Sequence, residues 1–291
     1  MRTMKLAVLG LGEVGRCFVA HLAERGFAMQ LQAPRPDSAA LALAARCKLN
    51  IHEGPGPWLG SADWVFSCVT GSQALAVAQA TLPHLGPGAI YCDFTTASRE
   101  TKQEAAANAA ARSILYVDVA IMGAVSLGGF ATPMLASGVG AEALAGWMVG
   151  TGARLQVMAG GKPGDAVALK MLRSVFTKGL EALSVEVSMA AQQQGLLEAL
   201  FEQLRDVDET PLRQFMAMLV STHVVHAGRR LHEVQDAAQA LAQQGLPSAV
   251  LPGVEHRFAL TAERLAADPV PQLKPSMEQS LQWLLAQPPA A

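Results

Sequence analysis

The chain of 291 residues has a formal net charge of −2, is 51% hydrophobic and 16% charged, and contains no basic block. This composition excludes a disordered chain and, with so little positive charge, argues against nucleic acid as a partner. The length exceeds that of one typical domain, so two domains are expected.

The cysteines and the longest uncharged stretch favour a cytoplasmic protein without a membrane segment. Four cysteines lie in apolar runs without CxxC spacing, and no signal peptide is recognised. Reduced thiols are therefore expected, with a metal site or a disulfide as the alternative. Residues 119–141 carry no charge but include five glycines and Pro133, which favours strands with glycine-rich turns over a spanning helix.

The first half of the chain alternates between strand and helix patterns. Strands are predicted at 4–10, 28–33, 62–69, 88–94, 113–121 and 153–159, and helices at 13–25, 38–47, 72–85 and 98–112. Alternating elements of this length predict a mainly parallel sheet with helices on both faces, the doubly wound α/β arrangement of a Rossmann domain.

After residue 164 the strand signal disappears, and helical runs continue to about residue 285. Breaks are predicted at Gly195, Pro211, 245–252 and 269–275, and the tail QPPAA is expected to fray. The first helical run would be about 45 Å long. The expected organisation is a dinucleotide-binding Rossmann domain, a long interdomain helix, and an all-α domain for substrate binding and dimerisation, over residues 1–163, 164–194 and 195–291.

The stretch VLGLGEVG places three glycines in GxGxxG spacing, directly between the first strand and the first helix. Gly10 permits the tight turn, Gly12 lets the backbone approach a pyrophosphate, and Gly15 packs the helix against the strand. The start of the helix adds amide donors and partial positive charge. A dinucleotide-binding turn is therefore predicted in preference to a plain strand–turn–helix unit, formed by Gly10, Leu11, Gly12, Glu13, Val14 and Gly15.

The end of the second strand bears on the choice of cofactor. An acidic residue there would hold the ribose 2′-hydroxyl of NAD, but the sequence reads QLQAPRPDS. Arg35 could accept the 2′-phosphate of NADP, which favours NADP(H) while leaving NAD(H) possible. The alternative is that Arg35 is a solvated turn residue. Asp37 is expected to cap the next helix.

The stretch GDAVALKMLRSVFTKG, residues 164–179, carries three polar side chains on one face of an otherwise apolar helix. Lys170, Ser174 and Lys178 are each four residues apart and therefore line up. A buried ammonium group costs several kcal/mol unless it has partners, so a use for Lys170 is expected. Burial is expected for the apolar residues Val167, Leu169, Met171, Leu172, Val175 and Phe176.

Six motifs in this order and spacing resemble the 6-phosphogluconate dehydrogenase-like, β-hydroxyacid dehydrogenase superfamily over nearly the whole chain. The likeness extends to the branch whose C-terminal helical domain has no known function. The motifs are GLGEVG (10–15), FSCVTGSQA (66–74), YCDFTTAS (91–98), YVDVAIMGAV (116–125), ALKMLRSVFTKGLEAL (168–183) and HAGRRLHE (226–233).

The resemblance implies an NAD(P)-dependent oxidoreductase that interconverts an alcohol and a carbonyl, usually as a homodimer. A lysine on the long interdomain helix is the general acid/base in that superfamily, and it matches Lys170. Ser174 falls where many members carry a substrate-binding asparagine. Lys178 would bind a substrate carboxylate or phosphate, or pair with an acidic residue. The residues expected on the cofactor side are Val69, Thr70, Thr95 and Thr96.

The sequence departs from the family at the loop that binds the substrate carboxylate. Better-known members carry Ser-Gly-Gly there, whereas this chain reads DVAIMGA, so Met122 replaces the serine and only Gly123 remains. Both are still expected to contact substrate, although the substrate need not be a simple 3-hydroxy acid. His226 and Arg230, in STHVVHAGRRLHEV, are candidates for substrate contact across a dimer interface. Two histidines without a third ligand do not predict a metal site.

Two other functions remain as alternatives. Imine reductases resemble this architecture but generally lack the helix lysine, so Lys170 argues against that activity. A non-catalytic NADP-binding sensor would use Lys170 only as a structural ion-pair partner. A homodimer is expected in either case, because the run from 164 to 245 is more apolar than a half-exposed domain requires.

Overall fold

The computed structural model describes residues 4–286. The described chain forms two compact units, one ending at Val175 and the other beginning at Phe176. The tail QPPAA, residues 287–291, lies outside the described residues.

The first unit is built on an eight-stranded sheet with the order β3-β2-β1-β4-β5-β6-β7-β8. Every neighbouring pair is parallel except β6 and β7, which are antiparallel. The doubly wound, mainly parallel sheet predicted from the sequence is therefore confirmed. The strands are β1 Leu6–Leu9, β2 Met29–Gln32, β3 Ile51–His52, β4 Trp64–Ser67, β5 Ile90–Asp93, β6 Leu115–Ile121, β7 Met134–Ser137 and β8 Leu155–Val157.

Helices of the first unit cover the sheet, and side-chain caps define the starts of two of them. Asp37 accepts a hydrogen bond from the Ala40 amide at the start of α2, and Ser98 accepts one from Thr101 at the start of α4. The expected cap at Asp37 is thus confirmed. The helices are α1 Glu13–Glu24, α2 Ser38–Cys47, α3 Ala74–Thr81, α4 Arg99–Ala110, α5 Val125–Gly128 and α6 Ala141–Val149.

The sheet is buried on both faces, as expected for parallel strands between two helical layers. All four residues of β1, β4 and β5 are buried. One face carries Val8, Phe66 and Cys92 against Phe18 of α1, and the other carries the core around Leu9 and Tyr91. Because β1 lies between β2 and β4, the chain leaves its carboxyl end where the strand order reverses, which is the usual place for a ligand crevice.

Four of these strands and helices were not predicted as separate elements. They are the two-residue strand β3, the short helix α5, the antiparallel strand β7 and the helix α6. Of these, α5 and β7 lie in the glycine-rich, uncharged region 119–141, where short apolar runs carry no clear period.

A long helix, α7, runs from Asp165 to Gln193 and passes from the first unit into the second. The expected burial of its apolar residues is wrong for most of them. Val167 is buried, but Leu172 is 67% exposed and Val175 is 71% exposed. Leu169, Met171 and Phe176 are exposed as well.

Up to residue 286, the last one described, the second unit continues as helices only. Helix α10 packs against α11 and α12, where the Trp283 indole donates a hydrogen bond to the Asp268 carbonyl and the Arg264 guanidinium lies over the Trp283 ring. None of the described helices is both long enough and apolar enough to span a membrane. The helices are α8 Leu197–Gln203, α9 Arg205–Glu209, α10 Leu212–Gln243, α11 Leu251–Ala267 and α12 Met277–Leu285.

Candidate functional site

The glycine turn between β1 and α1 has close backbone contacts at two of its three glycines. Gly10 has a φ of +86°, and a Cβ there would lie 2.9 Å from the carbonyl carbon of Cys68. A Cβ on Gly15 would lie 1.9 Å from the Gly10 carbonyl oxygen. Residue types other than glycine would therefore disrupt the turn at both positions.

Gly12 differs, because a Cβ there would meet nothing within 4 Å. It is the N-cap residue of α1, and no side chain caps that helix start. The amides and the partial positive charge at a helix start would suit a phosphate placed in the open space beside Gly12. This opening suits the pyrophosphate of a dinucleotide.

A cavity of about 350 Å³ lies at the carboxyl ends of β1, β2 and β4. Six of the predicted cofactor residues line it: Gly10, Leu11, Gly12, Arg35, Val69 and Thr70. Glu13, Val14 and Gly15 do not line the cavity; Glu13 is exposed, Val14 half-buried and Gly15 buried.

Two arginines border the part of this cavity beyond β2. Arg35 is exposed, and no carboxylate of the described residues pairs with it. Arg16 was not predicted as a site residue. Its Nη1 donates to the Leu11 carbonyl at 3.0 Å and lies 2.9 Å from an Asp37 carboxylate oxygen. The signal that could have revealed it is its position, directly after the last glycine of the motif.

The two predicted threonines after β5 have different environments. Thr95 is buried; its amide donates to Asp93 Oδ1 at 2.8 Å, and its Oγ1 accepts from the Ala97 amide at 3.3 Å. Thr96 is exposed. Thr95 therefore shapes the turn, and Thr96 is the one whose side chain is open to a ligand.

Lys170 lies on α7 and is half-buried. Burial lowers the pKa of its ammonium group, Lys102 lowers that pKa further, and Asp118 opposes the shift. Asp118 of β6 lies opposite Asp93, the last residue of β5. Asp93 in turn lies opposite Ser67 of β4, and Ser67 lies opposite Leu9, the last residue of β1. The Val167 amide donates to Asp118, so Lys170 lies one helical turn along α7 from a row of residues that crosses the sheet at the level where the glycine turn begins. Ser174 is exposed one turn further along α7.

Sequence reasoning missed the ionic group beside Lys170. Lys102 is completely buried and contacts both Asp93 and Asp118, which are also buried. The available signal was an aspartate inside each of two apolar strands, because an unpaired buried carboxylate is costly and requires a cationic partner.

The predicted carboxylate-binding loop follows β6. The Met122 amide donates to the Pro133 carbonyl at 2.8 Å, and its half-buried side chain lines a cavity of about 620 Å³ together with Arg154 and Arg173. Gly123 is exposed. The substrate role of both residues stays a prediction.

The other three predicted substrate residues belong to the second unit. Lys178 is exposed and pairs with Glu181 at 2.5 Å, which is the alternative that the sequence left open. Arg230 Nη1 donates to Thr222 Oγ1 at 3.1 Å, and His226 is exposed. Among the described residues, no group of three metal-ligating side chains lies together. A substrate role for these three residues stays a prediction.

Comparison with known families identifies both parts of the chain. Residues 5–145 match the model of the NAD binding domain of 6-phosphogluconate dehydrogenase. Residues 191–261 match that of a domain of unknown function, DUF1932. The first part of the chain is therefore an NAD-binding domain of the 6-phosphogluconate dehydrogenase type, and the second part carries a DUF1932 domain. The resemblance drawn from the motifs is confirmed by these two matches.

Individual relatives match nearly the whole length of the chain. An uncharacterized 28.5 kDa protein of Methanothermus fervidus, encoded in the 7S RNA 5′ region, is 26% identical over 88% of this chain and 98% of its own length. A conserved protein of unknown function, described as similar to 3-hydroxyacid dehydrogenases, is 28% identical over 89% of this chain and 97% of its own, with a TM-score of 0.64.

An imine reductase from Aspergillus terreus, solved in complex with NADPH4, has the same fold with a TM-score of 0.69. It covers 90% of this chain and 95% of its own, at 17% identity. Identity this low shows a shared fold alone.

Proposed function

We propose that the protein is an NADP-preferring oxidoreductase that transfers hydride between the nicotinamide and a small hydroxy acid or its carbonyl partner. The observation that carries the proposal is Lys170, a half-buried lysine with a lowered pKa near the carboxyl edge of a nucleotide-binding sheet. A general acid/base works best when its pKa lies close to the working pH, and burial moves lysine in that direction.

The residues divide the work between binding and proton transfer. The bound nicotinamide would supply or accept the hydride. The α1 amides and Gly12 would hold the pyrophosphate, and Arg35 the 2′-phosphate. Lys170 Nζ would donate a proton to the carbonyl oxygen during reduction and take it back from the hydroxyl during oxidation. Ser174, one turn further along α7, would orient the substrate.

Five further residues are proposed as substrate contacts. Met122 and Gly123 of the first unit, and Lys178, His226 and Arg230 of the second, are the proposed substrate contacts. The functional chain is proposed as a homodimer with a dinucleotide-binding domain, an interdomain helix and a helical domain, over residues 1–163, 164–194 and 195–291.

Reduction of an imine is the second candidate, supported by the fold shared with the Aspergillus terreus imine reductase. Lys170 favours the alcohol–carbonyl reaction instead, because the motif comparison associates this helix lysine with the hydroxyacid dehydrogenases. A panel of 2- and 3-hydroxy acids, their phosphates, aldehyde acids and cyclic imines, followed by absorbance of the reduced cofactor, separates the two reactions.

The decisive variant is Lys170→Met, which keeps the side-chain length and removes the charge. Turnover should fall about 10²-fold or more, the usual scale for losing a general acid/base. The melting temperature and the dissociation constant for NADPH should stay close to wild type, because Lys170 is not among the residues lining the cofactor cavity. Steady-state kinetics, thermal unfolding and cofactor titration on the same sample test these expectations together.

Lys162→Met is the matched control, since it removes one exposed lysine just before the same helix. It should turn over at the wild-type rate. Full turnover by a well-folded Lys170→Met protein would contradict the proposed mechanism. Lost stability with activity retained per folded molecule would instead support the structural role assumed for a sensor.

A further inference from the structure

A buried ionic group made of Asp93, Lys102 and Asp118 lies at the beginning of α7. Lys102 Nζ is 2.7 Å from Asp118 Oδ1 and 3.5 Å from Asp93 Oδ1, and it donates to the Asp93 carbonyl at 3.0 Å. Tyr116 donates from its hydroxyl to Asp93 Oδ2 at 2.6 Å. One lysine therefore serves two carboxylates in the interior, and removing Lys102 would leave both of them without a cationic partner.

The second oxygen of Asp118 binds the beginning of α7. Asp118 Oδ2 accepts from the Gly164 amide at 3.1 Å and from the Val167 amide at 3.0 Å. Ser137 Oγ accepts from the Ala166 amide at 3.1 Å and donates to the same Asp118 oxygen at 3.4 Å. The first amides of a helix have no partners within the helix, and here Asp118 and Ser137 of the sheet accept their hydrogen bonds. The negative charge of the Asp118 carboxylate also interacts favourably with the positive end of the helix.

Lys170 follows Val167 by three residues and Ala166 by four, so it lies one helical turn above these bonds. We propose that Asp118 and Lys102 are positioning residues for Lys170: Asp118 fixes the first turn of the helix that carries it, and Lys102 holds Asp118 in place. This inference rests on the proposed function for the role of Lys170 as general acid/base, but it can be tested without any substrate.

The charged groups around the beginning of α7 act on Lys170 in opposite directions. Lys102, from α4, lowers the pKa of Lys170, and Asp118, from β6, raises it. Asp93 lies behind Lys102 on β5. At the outer side of the same junction, Arg99 of α4 pairs with Asp165 of α7 at 2.6 Å. Removing Lys102 and removing the Asp118 charge should therefore have effects of opposite sign on Lys170.

The test measures the titration of Lys170 by competitive labelling with acetic anhydride at a series of pH values, read out by mass spectrometry. Lys102→Met should move the labelling midpoint of Lys170 to higher pH, because a repelling charge is removed while Asp118 remains. Asp118→Asn should move it to lower pH, while its amide oxygen can still accept from α7. A shift of about one pH unit is expected in each direction, because each substitution removes one charge that acts on Lys170.

Arg99→Gln is the matched control, since it breaks the half-exposed ion pair at the same α4–α7 junction without touching the buried group. It should leave the Lys170 midpoint unchanged. A purely structural network would lower the melting temperature of both buried variants but would not shift the midpoint in opposite directions. Unshifted midpoints in folded variants overturn the inference. If Lys102→Met does not fold, as judged by circular dichroism, the Lys170 midpoint in Asp118→Asn is decisive alone: a shift to lower pH supports the inference, and no shift overturns it.

The two proposals can fail separately. Labelling uses neither cofactor nor substrate, so it reports on positioning even if turnover is carried by another group. Opposite shifts together with full turnover by Lys170→Met would reject the proposed chemistry and keep the network. Unshifted midpoints together with a large loss of turnover in Lys170→Met would do the reverse.

Discussion

Gly12 is the residue at which cofactor binding can be separated from folding. Its Cβ position is open, so Gly12→Val should leave the melting temperature nearly unchanged. The valine side chain would occupy the space facing the α1 amides and weaken NADPH binding about tenfold or more, the equivalent of losing one or two good hydrogen bonds. Fluorescence titration with NADPH measures the dissociation constant.

Gly15→Ala is the contrasting variant at the same turn. Its Cβ would lie 1.9 Å from the Gly10 carbonyl oxygen, so the melting temperature should fall whether or not cofactor is present. A Gly12→Val protein that binds NADPH as tightly as wild type would show that the pyrophosphate does not approach this turn.

Arg35 is the residue proposed to bind the 2′-phosphate and so to favour NADP over NAD. Arg35→Ala should lower the ratio of NADPH to NADH affinity about tenfold or more, because a hydrogen bond to a charged phosphate contributes about 1.5–3 kcal/mol. NADH affinity should hardly change. Arg46→Ala, an exposed arginine on α2, is the charge-matched control. An unchanged ratio in Arg35→Ala would mean that Arg35 is only a turn residue; the same titration on Arg16→Ala would then test the other arginine of the cavity.

Site residues that belong to a motif within one element could be predicted from the sequence. Site residues whose partners are distant in the sequence could not. The glycine spacing and the four-residue spacing of Lys170 and Ser174 are visible within one element. Lys102 lies in a polar helix pattern that resembles a solvated surface, yet it is completely buried. Its partners come from two strands, and nothing local in the sequence indicates that they meet.

At the level of elements, the regular strand–helix alternation made the parallel part of the sheet predictable. Helix α2 was predicted at residues 38–47 and is found there, because a capping aspartate and a left-handed Lys48 define its two ends. The antiparallel strand β7 was expected only as one of the strands within 119–141, and its bounds were not predicted. A run of three apolar residues and a serine between glycine-rich turns can form a strand, a turn or a helix end.

Helix α7 shows that the burial of a side chain within one chain cannot be predicted from hydrophobicity alone. An apolar helix predicts that its side chains are covered, but the sequence does not say whether the covering residues come from the same chain. In the single chain the beginning of α7 is covered by Ala120 and Leu135, which pack on Ala166. Beyond Val167, large apolar side chains are exposed over several turns.

At the level of the whole molecule, α7 begins between the two recognised families. The family matches end at residue 145 and resume at residue 191, so both Lys170 and the amides bonded by Asp118 fall in the interval. The helix is anchored to the nucleotide-binding sheet at one end and, at Glu186, accepts hydrogen bonds from the Ala249 and Val250 amides at the start of α11. One helix therefore carries Lys170 within the first unit and continues along the chain into the second.

The exposed apolar surface of α7 and of the helices after it predicts a homodimer. Soluble monomers rarely expose contiguous apolar surface on this scale, and burying it against a second copy removes it from water. The exposed side chains on α7 include Leu169, Met171, Leu172, Val175, Phe176, Leu180, Leu183, Val185, Val187 and Met189. Sedimentation equilibrium at micromolar concentration should give twice the chain mass of 30.5 kDa.

Val175→Glu tests whether α7 itself forms that interface. Val175 is 71% exposed in the single chain, so a carboxylate there should be tolerated by the monomer fold. In a dimer it would bury an unpaired charge, which costs several kcal/mol and should shift the sedimentation mass toward that of one chain.

Leu127→Glu, at a leucine that is 91% exposed in the first unit, is the control and should leave the mass of the assembly unchanged. NADPH binding should survive in both variants, because neither residue lines the cavity at the glycine turn. A wild-type mass equal to one chain would refute the dimer, and a Val175→Glu protein that remains dimeric would exclude this part of α7 from the interface.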